Sequence, residues 1–198
     1  KFHHEVGAYA KERGIDALAS ITGKRPVGYR APWYKFSKYS LEILIEEGFT
    51  WDCSLMGADV PHLIKCDKGD LIELPGNIQL DDWPQFVHNA DLDYMMPIQS
   101  PQRAKEVYMA EFEAMWEYNG FWVNCFHPFC SGQVARLMMV RDMIKEMKAK
   151  GDVWFATGEQ VAAHTRQVIA DGSHTPRVDV LPYYEGRRPE FPADYMPA

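Results

Sequence analysis

Long apolar runs are missing from this 198-residue chain: none approaches the roughly 20 consecutive apolar residues that a membrane-crossing helix needs. No basic-then-apolar leader is visible either, so neither a membrane partner nor a cleaved signal is expected. Basic clusters are also missing. Lys and Arg total 21 against 28 Asp and Glu, a net charge of −7, and no Lys/Arg run forms a backbone-binding patch, which argues against nucleic acid. A cationic polymer is compatible with such a surface, although charge alone names no substrate. Cysteine is scarce: Cys53, Cys66, Cys125 and Cys130 show neither disulfide-dense nor zinc-ribbon spacing. Cys53 and Cys125 stand beside predicted strands and read as small buried thiols in a reducing, cytoplasmic compartment. A Gly-x-Ser-x-Gly elbow is absent, since Ser131-Gly132 does not form one, and this argues against a serine hydrolase. An initiator methionine is absent too. The chain opens at Lys1 inside a helix-like stretch, as the C-terminal part of something longer would.

What is present is an ordinary globular composition, 46% hydrophobic and 25% charged, in a chain long enough to bury a sizeable core. Helical and extended patterns alternate along it. A helix-like stretch at 5–20 runs into a turn at 22–26, and 26–30 reads as a short strand. Ser37 is placed to cap a helix reaching Glu47, with Leu41, Leu44 and Ile45 inward and Gly48 just past its end. Strands are expected at 49–52 and 71–75. Residues 77–101 show no period, and a loop of that length is usually functional. The helix expected at 102–118 carries two interleaved apolar rows: Val107, Ala110 and Ala114, and Tyr108, Phe112 and Met115. The nearly continuous apolar run 121–126 suits a strand buried on both faces. A helix at 134–149 presents Leu137, Val140, Ile144 and Met147. A last strand at 153–156 leads into Thr157-Gly158-Glu159-Gln160, which matches a capping box. This alternation predicts an α/β domain with a parallel sheet or barrel over 1–171. The tail 172–198 lacks an apolar period and is expected to pack on the domain or on a neighbouring subunit.

Two ionisable side chains stand where predicted strands open into loops, the position at which barrel-like α/β folds carry chemistry. His127 follows 121–126, with Pro128 restricting the backbone behind it; it reads either as a general acid or base or as a structural histidine. Arg30 ends 26–30 and either grips a carboxylate bidentately or pins two loops by a salt bridge. Asp52 ends the next strand. Three strand ends carrying Arg, Asp and His together weigh more than any one of them. Asp81-Asp82-Trp83 is either a cation or substrate site or a solvated turn anchored by its tryptophan. His3-His4 lacks a spaced third ligand, so no metal is expected there. Cys125 and Cys130 flank His127 and read as buried thiols rather than nucleophiles.

The stretches Gly23-Lys24-Arg25-Pro26-Val27-Gly28-Tyr29-Arg30-Ala31-Pro32, Gly48-Phe49-Thr50-Trp51-Asp52-Cys53-Ser54 and Phe126-His127-Pro128 resemble the polysaccharide deacetylase family, the NodB-homology domain. So does Gly151-Asp152-Val153-Trp154-Phe155-Ala156-Thr157. Within the family, the likeness is to the cytoplasmic branch of peptidoglycan-deacetylase-like, allantoinase-like and cyclic-imidase-like proteins, and it covers about residues 15–165. The resemblance implies a distorted (β/α) barrel of the seven-stranded NodB type, with the N-terminal strands missing from this chain.

It further implies hydrolysis of a non-peptide carbon–nitrogen bond, in an N-acetylated sugar polymer or in a small cyclic imide or ureide. The family's Arg-x-Pro-aromatic motif falls on Arg30-Ala31-Pro32-Trp33. There the arginine orients a catalytic aspartate and the amide after the proline donates to the oxyanion; Trp33 stands where tyrosine is frequent. The family's Leu-x-x-His-Pro motif falls on Asn124 to Pro128, with Asn124 in place of leucine and His127 as the proton donor to the leaving amine. Asp52 is the candidate partner of His127. Tyr29, Pro32, Trp33, Asp82 and Trp83 are the candidate substrate contacts. The resemblance also implies a divalent metal, zinc by preference, whose usual ligands are not in this chain, although some members are thought to work without metal. A companion N-terminal segment and a homo-oligomer, a tetramer by the branch's habit, belong to the same expectation. The competing reading is a non-catalytic carbohydrate-binding or structural subunit that lacks the metal motifs.

Overall fold

The structure, a computed structural model, describes residues 11–183. His3-His4, the first part of the helix expected at 5–20 and tail residues 184–198 lie outside the described residues. A π-turn at Lys11–Ile15 leads into α1, Asp16–Thr22, which ends at left-handed Gly23 as the sequence indicates. Then come β1 (Gly28–Tyr29), α2 (Ser40–Glu46) and β2 (Trp51–Asp52). The α2 helix starts later than Ser37 predicts: the Ser37 hydroxyl accepts the Tyr39 N–H at 3.3 Å and its carbonyl the Ser40 N–H at 3.1 Å, but 38–39 form a turn and the helix begins at Ser40. Gly48, at φ 76°, terminates it as expected.

The sheet has five strands in the order β1-β2-β4-β3-β5, where β3 is His62–Cys66, β4 is Gly69–Glu73 and β5 is Val178–Val180. β1, β2 and β4 run parallel, as the alternation predicts. Gly28 is required at the first pairing: a Cβ there would stand 2.0 Å from the Trp51 ring. Two features depart from the expectation. The β3–β4 hairpin is antiparallel, and its first strand is not anticipated, since Lys65 interrupts its apolar residues. The tail contributes β5, which pairs parallel with β3 from Leu63↔Val178 to Lys65↔Val180.

The stretches 121–126 and 153–156 are not strands. Only Cys125 bridges, in parallel, to Asp81. Without a ladder on either side the chain there stays accessible, so the double burial expected of 121–126 does not occur. Residues 121–125 are half-buried and Phe126 is exposed, as are Trp154 and Phe155. The bridge still extends the parallel wall: Cys125 N–H donates to Leu80 O at 3.0 Å and Asp82 N–H to Cys125 O at 3.0 Å. His127 is thereby set at the rim to which β1 and β2 deliver Arg30 and Cys53.

Behind this wall stand α3 (Asp82–Phe86), α4 (Pro101–Glu117), α5 (Pro128–Ser131), α6 (Val134–Lys150) and α7 (Gly158–Ala170). Of the two rows on α4, Tyr108 and Phe112 win, together with Ala104. On α6 the buried row is Met139, Met143 and Met147, so Leu137 and Ile144 face outward, contrary to the expected stripe. Unbranched methionines fit an irregular gap between two long helices better than the alternative row. The α7 capping box forms as read, Thr157 with Gln160. No described helix is long and apolar enough to cross a membrane.

Candidate active site

His127 is the best-held ionisable group at the rim. Its backbone N–H donates to Asp82 Oδ2 at 2.9 Å, and its Nδ1 lies 2.6 Å from Asp82 Oδ1. Asp82 has no exposed surface and also accepts the Ser131 hydroxyl, so its carboxylate is fully committed to one task. A carboxylate accepts only, so Nδ1 carries the proton and Nε2 is left free to face a ligand. This corrects two expectations. Asp52 does not partner His127; it is buried and accepts the Ser54 N–H at 2.8 Å and the Ser54 hydroxyl at 2.9 Å. Asp82 is not a substrate contact but the orienting partner of the histidine.

Among the described residues, Arg30 grips no carboxylate. Its Nε donates to Cys53 O at 3.0 Å and its Nη2 to Cys53 Sγ at 2.7 Å, while its guanidinium lies 5.7 Å from the Tyr34 ring centre. The Tyr34 hydroxyl donates to Asp81 Oδ2 at 3.1 Å, and Asp81 Oδ1 stands 3.9 Å from His127 Nδ1. Arg30 and His127 are therefore connected through Tyr34 and Asp81. Asp81 meanwhile caps α3 by accepting the Trp83 N–H at 2.7 Å.

Trp83 is the hub of an aromatic cluster. Edge-on contacts join it to Trp33 at 5.2 Å, His127 at 5.5 Å, Phe129 at 5.8 Å and Tyr94 at 6.2 Å. Trp33 and Phe129 are each 61% exposed, so the cluster opens to solvent as a platform rather than closing over the histidine. Pro32 begins the 3₁₀ turn that presents Trp33. Tyr29 does not join the platform; its ring packs edge-on against Phe49 in the core, and burial raises its hydroxyl pKa.

Trp33 and Tyr34 both have positive φ, 58° and 54°. Left-handed conformations of non-glycine residues cost on the order of 1–3 kcal/mol each and persist where the surroundings enforce them, commonly at sites of function. Here the turn closes through Tyr34 N–H to Ala31 O at 2.9 Å and Lys35 N–H to Pro32 O at 3.2 Å. The Trp33 N–H donates to no described group, which leaves it a free donor on the loop whose indole packs on Trp83, the ring that also touches His127.

Behind Arg30 lies a cavity of about 380 Å³, bordered by Trp51, Cys53, Leu74 and Asn124. Both amide atoms of Asn124 and the Trp51 Nε1 are buried without partners. Apart from Asn124, a visible departure from the motif, nothing in the sequence marks this cavity.

No family model matches the chain. A peptidoglycan deacetylase of Helicobacter pylori is 26% identical over 204 residues, covering 80% of this chain and 69% of that protein. A peptidoglycan deacetylase-like protein of Gibberella zeae is 26% identical over 187 residues, covering 76% of this chain and 54% of that one. Among solved structures, a Mycobacterium smegmatis protein assigned as a polysaccharide deacetylase superposes with TM-score 0.77 at 38% identity, covering 91% of this chain and 59% of that one. Together these likenesses support the polysaccharide deacetylase family for this chain, which spans about half to two thirds of the length of the proteins it matches. Puue allantoinase, at TM-score 0.66 and 20% identity, shares the fold, the α/β architecture of the NodB type, with the chain again spanning about half (52%) of its length.

The family implies a divalent metal. One described group of three has ligand atoms within 4.8 Å of one another: Asp81, Cys125 and His127. It does not fit a resident ion. Both Asp81 oxygens already accept hydrogen bonds, from Trp83 N–H and the Tyr34 hydroxyl, so with Nδ1 on Asp82 only His127 Nε2 offers an uncommitted oxygen or nitrogen ligand in the group. Burial, and next the charge of Asp81, raise the Cys125 thiol pKa and keep it from the thiolate form that binds metal. The chemistry below therefore assigns no step to a metal.

Proposed function

We propose that this chain hydrolyses a non-peptide carbon–nitrogen amide bond, with an N-acetylated amino-sugar polymer as substrate. The observation that carries the reading is the Asp82–His127 pair, 2.6 Å apart, in one aromatic cluster with Trp33, whose amide is unpaired. Water attack on an acetamide carbonyl places negative charge on the carbonyl oxygen, and the Trp33 N–H, already fixed in its turn, is the donor for it. The leaving amine then needs a proton. His127 supplies it from Nε2, which takes up a proton from solvent before the step, while Asp82, on Nδ1, stabilises the resulting imidazolium and fixes its orientation; the proton of the attacking water passes to solvent. The exposed faces of Trp33 and Phe129 provide flat apolar surface against which a sugar ring can lie. Such an open platform suits a polymer better than a small enclosed imide.

Two further parts of this reading have physical support. A companion polypeptide segment would supply partners for the buried Asn124 amide and Trp51 Nε1 in the cavity behind Arg30. Self-association would cover the exposed Val134, Leu137 and Met138 on α6.

The test is release of acetate from an N-acetylated chitooligosaccharide, run beside hydantoin and succinimide. Turnover of the oligosaccharide that His127→Ala abolishes, with oligosaccharide binding retained, supports the reading. Hydantoin or succinimide turnover alone moves the substrate to the small imides and ureides. Binding without turnover of any of them returns the chain to a carbohydrate-binding role.

A further inference from the structure

Two carboxyl groups that the proposed chemistry does not use are buried beneath the loop that presents the Trp33 amide. Asp52 and Glu73 are register partners across β2 and β4, and neither has exposed surface. Their carboxyls stand close enough for each to shift the other's protonation, and Glu73 Oε2 is a buried atom with no partner, so a proton held by one of the two is what lets both share a dry site. Burial, and next the charge of Asp52, push Glu73 up to about 10, so Glu73 is the member that keeps the proton. Asp52 is then free to accept, and it accepts twice from one residue: from Ser54 N–H at 2.8 Å and from the Ser54 hydroxyl at 2.9 Å. Glu73 Oε1 accepts the Leu55 N–H at 2.9 Å. The pair thus fixes the turn 53–55 at two successive residues.

That turn in turn fixes the 30–34 loop. The Ser54 oxygen, its own proton spent on Asp52, accepts the Ala31 N–H at 2.8 Å. The Cys53 carbonyl accepts Arg30 Nε at 3.0 Å. Ala31 is buried, and its carbonyl closes the 3₁₀ turn by accepting the Tyr34 N–H, with left-handed Trp33 held between. Two consecutive non-glycine residues at positive φ relax unless both ends of their turn are pinned. One end is pinned by the Tyr34 hydroxyl on Asp81, the other by Ala31 on Ser54.

We propose that Asp52, with Glu73 as the holder of their shared proton, is a positioning residue for the Trp33 amide and acts on it through Ser54. This rests on the oxyanion role given to that amide above. It assigns Asp52 a task different from partnering the histidine.

The experiment compares Asp52→Asn, Ser54→Ala, Glu73→Gln and Glu73→Leu in the full chain by two readouts. The first needs no substrate: hydrogen exchange of the Tyr34 and Lys35 amides. Asp52→Asn leaves one acceptor for two Ser54 donors, and Ser54→Ala removes the relay, so exchange at both amides quickens at least tenfold. Glu73→Gln keeps a neutral donor facing Asp52 and retains the slow exchange that Glu73→Leu loses. The second readout is steady-state turnover of the substrate identified above. Asp52→Asn and Ser54→Ala lower kcat at least tenfold with KM within twofold, and Glu73→Gln recovers at least a third of the kcat that Glu73→Leu loses. Unchanged Tyr34 and Lys35 exchange in both Asp52→Asn and Ser54→Ala overturns the proposal, as does a Glu73→Gln variant no better than Glu73→Leu. If no substrate is turned over, the functional reading fails while the exchange data still decide this one. If Asp52→Asn does not fold, Ser54→Ala, which only removes a hydroxyl, decides alone.

Discussion

Replacing Asp82 by asparagine separates the orienting role of this carboxylate from mere burial. In the folded chain Asp82 accepts from the His127 N–H, from His127 Nδ1–H and from the Ser131 hydroxyl, and it is inaccessible to water. Asparagine offers one oxygen, and its amide turns donors toward donors. Each donor left unpaired costs roughly 1–3 kcal/mol. With one or two affected, Tm falls by about 2–24 °C for a chain of this size. The catalytic loss is separate and larger. If His127 delivers the proton to the leaving amine, loss of its orientation forfeits much of the roughly 10²–10⁴-fold that a placed acid supplies. The assay is kcat for amide hydrolysis by Asp82→Asn, His127→Ala and the double variant, at a temperature where all remain folded. Because Asp82 acts only through His127, the double variant is no slower than His127→Ala. A double variant whose loss equals the product of the two single losses refutes the reasoning, as does an Asp82→Asn enzyme within threefold of wild type.

The remaining expectations are simpler. Glu73 holds its proton up to about pH 10, whereas the unfolded chain releases it in the ordinary carboxylate range. Between those limits the native state binds the extra proton, so stability falls as pH rises. Melting curves from pH 6 to 9 should therefore decline more steeply for wild type than for Glu73→Gln, and equal slopes contradict the assignment. The Tyr108 hydroxyl is buried without a partner, so Tyr108→Phe should hold or raise Tm; a fall of several degrees reveals a partner the geometry lacks. Trp33→Ala removes one exposed face of the platform and should raise KM for an oligosaccharide while leaving kcat within about threefold, since the backbone donor remains; titration of inactive His127→Ala with the oligosaccharide reports the same loss as Kd.

The sequence carried the alternation of β1, α2, β2 and β4, the Gly48 stop and the α7 capping box, because each is written in local chemistry. Arg30 follows β1 as expected, whereas His127 follows no strand and reaches that wall only through the parallel Cys125 bridge to Asp81. The pairing of His127 was not legible. Asp82 is 45 residues away and reaches the histidine only because Cys125 bridges to Asp81, a contact with no local signature. Asp52 was the plausible partner by chain order, yet the register of β2 on β4 turns it toward Glu73. The buried face of α6 was misjudged because two apolar rows of similar length compete, and which one wins is decided by the shape of α4 opposite. The β3–β4 hairpin and β5 escaped because an antiparallel insertion and a three-residue strand leave little periodicity to read.

The most direct measurement sets an amide against an ester. A phenolate leaving group departs without a proton, whereas an amine does not. For wild type and His127→Ala, the rates of acetate release from an N-acetylated chitooligosaccharide and from p-nitrophenyl acetate are compared under one set of conditions. With His127 as the acid, the variant loses at least about 100-fold on the amide and less than about tenfold on the ester. An equal loss on both substrates, or none on the amide, contradicts the role given to the Asp82–His127 pair.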